Sequence, residues 1–259
     1  MAKTKWAAFA HPAKAFTYAG EALRKNWERL HRGDREPYPK EPDVQEAWRL
    51  FHQGRFAEAM ALGLKAGGAG VTAANKAQAI YANGVEPGEA AKIALFEEVM
   101  QRAERQARAE PKNANARYLY AYAAGRYSQR ISVAKALAQG YGGKIRAALE
   151  AALKIEPKHA DAHIAMGAYH AEIIDKVGAL VGGLTYGAKK EAGEEHFRKA
   201  LELAPDCPIA YIETANGLVM MHGKKALAEA ASLYAKAAKF TPRDAMEKLD
   251  VEAARAELE

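Results

Sequence analysis

LKIEPKHADAHIAMGAYH, residues 153–170, decides how the rest of the chain is read. Its first half ends a helix. The apolar-periodic run stops at Pro157, which has no N–H for the helical ladder and disfavours helical geometry in the residue before it. Its second half opens another helix, with apolar and small residues at helical spacings. The same stop recurs: ARAEP ends at Pro111, LELAP at Pro205 and AKFTP at Pro242. Each follows an apolar-periodic helix and precedes an alanine-rich one, so the chain repeats a helix-turn-helix unit.

Composition agrees with that reading. Of the 259 residues 49% are apolar, enough for a continuous core, and alanine leads that fraction. Alanine loses no side-chain entropy in a helix, which favours closely packed helices over sheets. The net charge of +6 is modest and mixed in sign, as a solvated helical surface requires, and gives no reason to expect nucleic acid as a partner. Cys207 is the only cysteine, which excludes an intrachain disulfide and a cysteine-based zinc site. No apolar run approaches the roughly 20 residues of a membrane span. The opening MAKTKWAAFAHPAK breaks its apolar stretch at His11-Pro12, too early for a secretory signal, so a cytoplasmic location is expected.

The repeat resembles the tetratricopeptide (TPR) family, whose pattern places a large residue, Leu-Gly and an aromatic on one helix and Ala, Phe, Ala and Pro on the next. His163, Met166, Gly167 and His170, then Gly193, Phe197, Ala200 and Pro205, follow it in one unit. Tyr211, Thr214, Ala215 and Leu218, then Ala230, Tyr234, Ala237 and Pro242, follow it in the next. Tyr120, Ala121, Ala124, Ile145, Leu149, Ala152 and Pro157 form a looser unit; Ala47, Leu50, Gly54, Phe56, Ala59 and Ala66 fit a divergent first one, and residues 71–110 a further hairpin. The resemblance covers residues 40–242 and implies an all-α array of antiparallel helical hairpins, an α-solenoid. Its period is long: 46 residues separate Pro111 from Pro157 and 48 separate Pro157 from Pro205, against a usual period of about 34. The extra residues, around Arg130–Gly143 and Ile173–Ala188, are expected to project from one edge, with turns near Gly140–Gly143 and Gly182–Gly187. Such elongation is similar to bacterial relatives of the regulator-of-microtubule-dynamics proteins and to the T-components of TRAP transporters, periplasmic accessory proteins whose export signal this sequence does not show.

The resemblance also implies a concave groove lined by the first helix of each hairpin. Carrying over its slots gives Asn115, Tyr118, Tyr122, Gly125 and Arg126 in one unit, Asp161, Ile164, Ala168, Ala171 and Glu172 in the next, and Ile209, Ile212, Asn216, Val219 and Met220 in the last. From these, Asn115, Tyr118, Tyr122, Arg126, Ile164, Ala168, Glu172, Ile212, Asn216 and Met220 are the candidate partner-binding residues. The family's carboxylate clamp is matched only by Asn216 and Arg126, and the groove is unusually apolar. An apolar surface of this kind marks either a binding face or one that the chain itself covers. The expected function is a non-catalytic scaffold for a protein or peptide; the alternative is an apolar small molecule or lipid held between the long hairpins.

Other motifs carry less. His159, His163 and His170 with Asp161 and Asp175 could suggest a metal, but HExxH is absent and two of the histidines take slots of core aromatics, so no metal or other cofactor is expected. Gly140-Tyr141-Gly142-Gly143-Lys144 fails as a phosphate loop, because Ala138 stands where a glycine is needed and Ile145 where Ser or Thr is. No nucleophile elbow occurs, and no catalytic set converges. At the N-terminus, residues 1–39, the spacing of Trp6, Phe9, Ala13, Phe16, Gly20, Leu23, Trp27 and Leu30 predicts one basic amphipathic helix with Pro12 in its first turn. Such a helix can lie on an anionic membrane or dock on the chain itself, and docking over the groove is expected. Residues 243–259, ending VEAARAELE, are expected to form a polar capping helix.

Overall fold

In a computed structural model of the chain, which describes residues 6–258, the repeats fold as five antiparallel helical hairpins. A short helix, α1 (Glu21–Leu30), precedes them. The hairpins follow as α2 (Pro42–His52) with α3 (Phe56–Ala66), α4 (Gly70–Gly84) with α5 (Glu89–Ala109), and α6 (Ala114–Ser128) with α8 (Tyr141–Ile155). The last two are α9 (Ala160–Val177) with α11 (Lys190–Leu203), and α12 (Pro208–His222) with α13 (Leu227–Ala237). Two short helices, α7 (Val133–Ala138) and α10 (Ala179–Tyr186), sit at the tips of the long hairpins, and α14 (Ala245–Ala256) closes the chain. There is no strand among the described residues.

Local chemistry sets these boundaries. Pro111, Pro157 and Pro205 each stand two residues past the end of α5, α8 and α11. Asn113, His159 and Asp244 cap the N-termini of α6, α9 and α14 by accepting from Ala116 N, Ala162 N and Glu247 N. The hairpin turns differ from expectation. Gly182 and Gly183 lie inside α10, and the chain reverses instead at Gly178 and Gly187, both with positive φ (79° and 65°) that glycine adopts without a Cβ penalty. Similarly only Gly140 (φ 68°) turns between α7 and α8, while Gly142 and Gly143 are helical.

The N-terminal helix is shorter than its apolar spacing predicts. Residues Trp6 to Ala13 are irregular, and Tyr18 (φ 45°) and Gly20 (φ 56°) break any helix before Glu21. Six of the eight residues are still buried or half-buried, by a different backbone, while Ala13 and Gly20 are exposed. Trp6 stacks on Tyr81 with centroids 4.1 Å apart, Phe9 meets Phe56 edge-on, and Phe16, Leu23 and Trp27 pack with Val44, Trp48 and Phe51 of α2. The segment thus docks on the array, chiefly on its first two hairpins. Residues 1–5, the start of that expected helix, lie outside the described residues.

The C-terminal helix goes further than a cap. α14 packs on α12 and α13 through Ala254, and on α2 through its start, where Ala245 joins the N-terminal core. Asp244 accepts from His52 Nδ1 at 2.7 Å, and Tyr18 Oη donates to the Arg243 carbonyl at 2.6 Å. The two ends of the array are therefore tied together across its concave side.

Candidate functional site

The first helices α4, α6, α9 and α12 face the concave side, and α14 lies there with them. Between them remains a mainly apolar cavity of about 180 Å³. Tyr118, Tyr122 and Arg126 of α6, Ile164, Ala168 and Glu172 of α9, Ile209 and Glu213 of α12, and Met246, Leu249 and Asp250 of α14 line it. Toward the hairpin tips its wall is Val133 and Leu137 of α7, Ile145 of α8 and Ile173 and Val177 of α9.

Six of the ten residues singled out from sequence thus meet at one cavity: Tyr118, Tyr122, Arg126, Ile164, Ala168 and Glu172. Four do not. Asn115 is buried beneath the cavity, donating to Glu36 Oε2 at 2.6 Å and to the Asp34 carbonyl at 3.0 Å. Ile212 is in the core between α12, α13 and α14. Asn216 accepts from Tyr234 Oη at 2.5 Å, and Met220 is exposed. On α12 the cavity is met by Ile209, one of the slots carried over, and one turn on by Glu213, which stands at the same place in its helix as Leu119 and Ala165, also on the cavity wall. The helix that faces the tyrosines is α14, from the opposite terminus to the one expected.

The floor of the cavity is ionic, and little of it was legible in sequence. Lys76, the only charged residue of α4, donates to Asp34 Oδ2 at 2.5 Å and lies 3.6 Å from Asp161 Oδ2, all three being buried. Its isolation among small residues was the available signal. The loop carrying Asp34 is pinned there because Asp161 N donates to the Gly33 carbonyl at 3.0 Å; any Cβ on Gly33 would stand 2.2 Å from Asp161 Oδ1. Behind it, His31 Nδ1 meets Asp34 Oδ1 at 2.9 Å and His31 Nε2 meets His52 Nε2 at 3.2 Å. Burial would favour neutral lysine, but the Asp34 and Asp161 carboxylates outweigh it and hold Lys76 charged. Asp161 is pushed up to about 6, by burial first and by the Asp34 charge, against the pull of Lys76. Higher on the wall, Arg126 donates to Glu213 Oε1 at 2.6 Å and lies over the Tyr122 ring. Asp250 has no hydrogen-bond donor among the described residues; burial, then Glu247 and the other acids nearby, raise its pKa well above the carboxylate range.

The histidines of α9 are placed by packing and capping. His163 Nδ1 meets His196 Nδ1 of α11 at 2.8 Å, and His170 accepts from Lys189 N. Among the described residues no group of three His, Cys, Asp or Glu side chains is arranged to hold a metal ion. His159 is fully buried: Nδ1 accepts from Ala162 N at 3.1 Å and Nε2 donates to Asn115 Oδ1 at 2.9 Å. This fixes the neutral tautomer, and burial lowers its pKa to about 4. A histidine depressed in the folded state contributes stability that is present above its unfolded pKa, near 6.5, and is lost as pH falls towards 4. Protonating Nδ1 also removes the cap of α9. His159→Asn keeps a capping oxygen and cannot titrate. Its stability deficit at pH 7, up to about 3 kcal/mol, is expected to shrink steadily by pH 4.5 in parallel thermal melts, while buried acids common to both proteins cancel. A deficit independent of pH would refute this assignment.

No family model matches the chain, and no curated protein matches it in sequence. Among solved structures it is similar to a thermophilic TPR protein of Thermus thermophilus, with a TM-score of 0.59 at 18% identity, over 83% of this chain and 97% of that one. At that identity the likeness concerns the fold. The chain is an all-α, TPR-like helical repeat array whose concave side is crossed by its own C-terminal helix.

Proposed function

We propose that the protein is a non-catalytic binding protein that takes an apolar group of ring or short-chain size into the cavity between α6, α9, α12 and α14. The observation that supports this most is the position of α14. It occupies part of the concave side along which an extended peptide would lie, and leaves a partly open apolar cavity in place of a continuous groove. A cavity of about 180 Å³ is comparable with the ~150 Å³ apolar cavities that admit benzene-sized molecules. Among the polar groups on its wall, Arg126 paired with Glu213 and the unpaired Asp250 suit orientation of a polar end. A scaffold for a protein or peptide, the broader expectation for this fold, would have to use the hairpin tips instead of the groove.

Toluene, a single-ring molecule whose binding to the folded state raises the melting temperature, tests the reading. A rise that grows with toluene concentration is expected, with the apparent affinity weakened at least about tenfold by Ala168→Trp, which fills the cavity from the middle of α9. Without toluene the melting temperature of that variant should stay near the parent's, since Ala168 is only partly buried. Absence of a rise in the parent, or an equal rise in the variant, would remove the cavity as the binding site.

A further inference from the structure

The two hairpin tips combine unpaired basic residues with exposed aliphatic ones. Residues 130–149 and 176–190 contain seven of the chain's 38 basic residues and none of its 32 acidic ones, which exceeds the net charge of +6 for the whole chain. Arg130 is paired with Glu89 and Arg146 with Glu150. Lys135, Lys144, Lys176, Lys189 and Lys190 have no carboxylate partner among the described residues. The same tips hold large aliphatic side chains turned to solvent: Leu184 is 82% exposed, Leu180 76%, Val181 50% and Val133 42%.

The tips lie side by side. Arg146 Nη1 at the start of α8 donates to the Tyr186 carbonyl at the end of α10, 3.0 Å away. Tyr169 Oη of α9 donates to the same carbonyl at 2.9 Å. Val133 and Leu137 of α7 share a cavity wall with Lys176 and Val177 of α9. α7 buries none of its residues and α10 only Gly182, so each rests on the array by one edge and leaves most of its surface open to solvent.

We infer that this surface docks on an anionic lipid bilayer, with Leu180, Val181 and Leu184 entering the interface and the five unpaired lysines meeting lipid phosphates. The chemistry favours lipid over protein. Protein interfaces are depleted in lysine and rest on Trp, Tyr and Arg anchors, whereas aliphatic side chains ringed by lysine match the headgroup boundary, where lysine stems lie along the apolar layer and the ammonium stays in water. This is surface docking: no described helix is long and apolar enough to cross a membrane. It does not depend on what the cavity holds.

Co-sedimentation of the full chain with phosphatidylcholine vesicles, with and without about one-third phosphatidylserine, tests it. Binding to the anionic vesicles is expected to exceed that to neutral ones at least about tenfold, and to fall when salt is raised from about 0.1 M to 0.5 M. Leu180→Asp/Leu184→Asp and, separately, Lys135→Glu/Lys176→Glu/Lys189→Glu/Lys190→Glu should each lose most of it. All but Lys190 are exposed, so the melting temperature monitors folding directly. Leu184→Cys gives one accessible thiol, because Cys207 is buried; a nitrobenzoxadiazole label there should shift to the blue on anionic vesicles, and the same label on Lys40→Cys should not. No gain on anionic vesicles overturns the proposal and leaves a protein as the occupant of the tips. Undiminished binding by the leucine variant overturns it too, since charge alone would then account for the attraction.

Discussion

Replacing Lys76 by methionine is expected to cost about 3–5 kcal/mol, the range for removing one partner of a buried ion pair. In a chain of this length that lowers the melting temperature by roughly 10 °C. The cause is the pair left behind. Asp34 and Asp161 flank the Lys76 ammonium on the cavity floor, where water cannot solvate them, and methionine matches the lysine stem without the charge. With the cation gone, both carboxylates have raised folded-state pKa values, and a raised acid destabilises only where it is ionised. The variant's deficit should therefore diminish as pH falls from 7 towards 4. Adding Asp34→Asn and Asp161→Asn should recover part of the loss at pH 7, because an uncharged set has no unpaired charge to bury. Thermal melts of the single and triple variants decide it; a single variant that melts like the parent would mean the triad is solvated.

Phe197→Ala is expected to lose a similar amount, about 3–5 kcal/mol, through the cavity it leaves. The ring projects from α11 between two glycines on successive first helices. A Cβ on Gly167 of α9 would stand 2.7 Å from Phe197 Cδ1, and one on Gly217 of α12 would stand 2.3 Å from Cε2. One aromatic side chain thus fixes how closely two neighbouring repeats approach. The same geometry gives a double-mutant test. Gly217→Ala should destabilise the parent by overpacking, yet cost less or even stabilise in the Phe197→Ala background, where the added methyl enters vacated space. Additive effects would show that the glycine is small for some other reason.

These two residues also separate what could be read from what could not. Phe197, Gly167 and the proline stops were legible because they serve contacts within a hairpin or with the next one, and such contacts repeat with the period of the chain. Lys76, Asp34 and Asp161 come from three distant stretches, and their meeting follows no period. The cavity lay between these cases. Tyr118, Tyr122 and Arg126, spaced four apart, were found because helical geometry alone aligns them. Glu213 was missed because the slots carried over omit its position, which also lines the cavity at Leu119 and Ala165, and Asp250 because it sits on a helix expected to cap the array.

The N-terminal stripe from Trp6 to Leu30 shows the limit most plainly. Its spacing picked out Phe16, Leu23 and Trp27, which are buried, but also Ala13 and Gly20, which are exposed. Before Glu21 the described backbone has one helical turn, a 3-10 turn at Lys14–Phe16, ended at Tyr18 and Gly20. Burial is demanded by side-chain chemistry, whereas the path that achieves it depends on what lies opposite. By itself, then, the sequence determined an all-α array of hairpins, the helices that face its concave side and the two elongated tips, since all of these follow from local propensity and repetition. Only the tertiary structure decided that α14 and the Asp34 loop pack onto that side and narrow a groove to a partly open cavity. Those contacts join residues up to 225 positions apart, through single hydrogen bonds and ion pairs that no local pattern encodes.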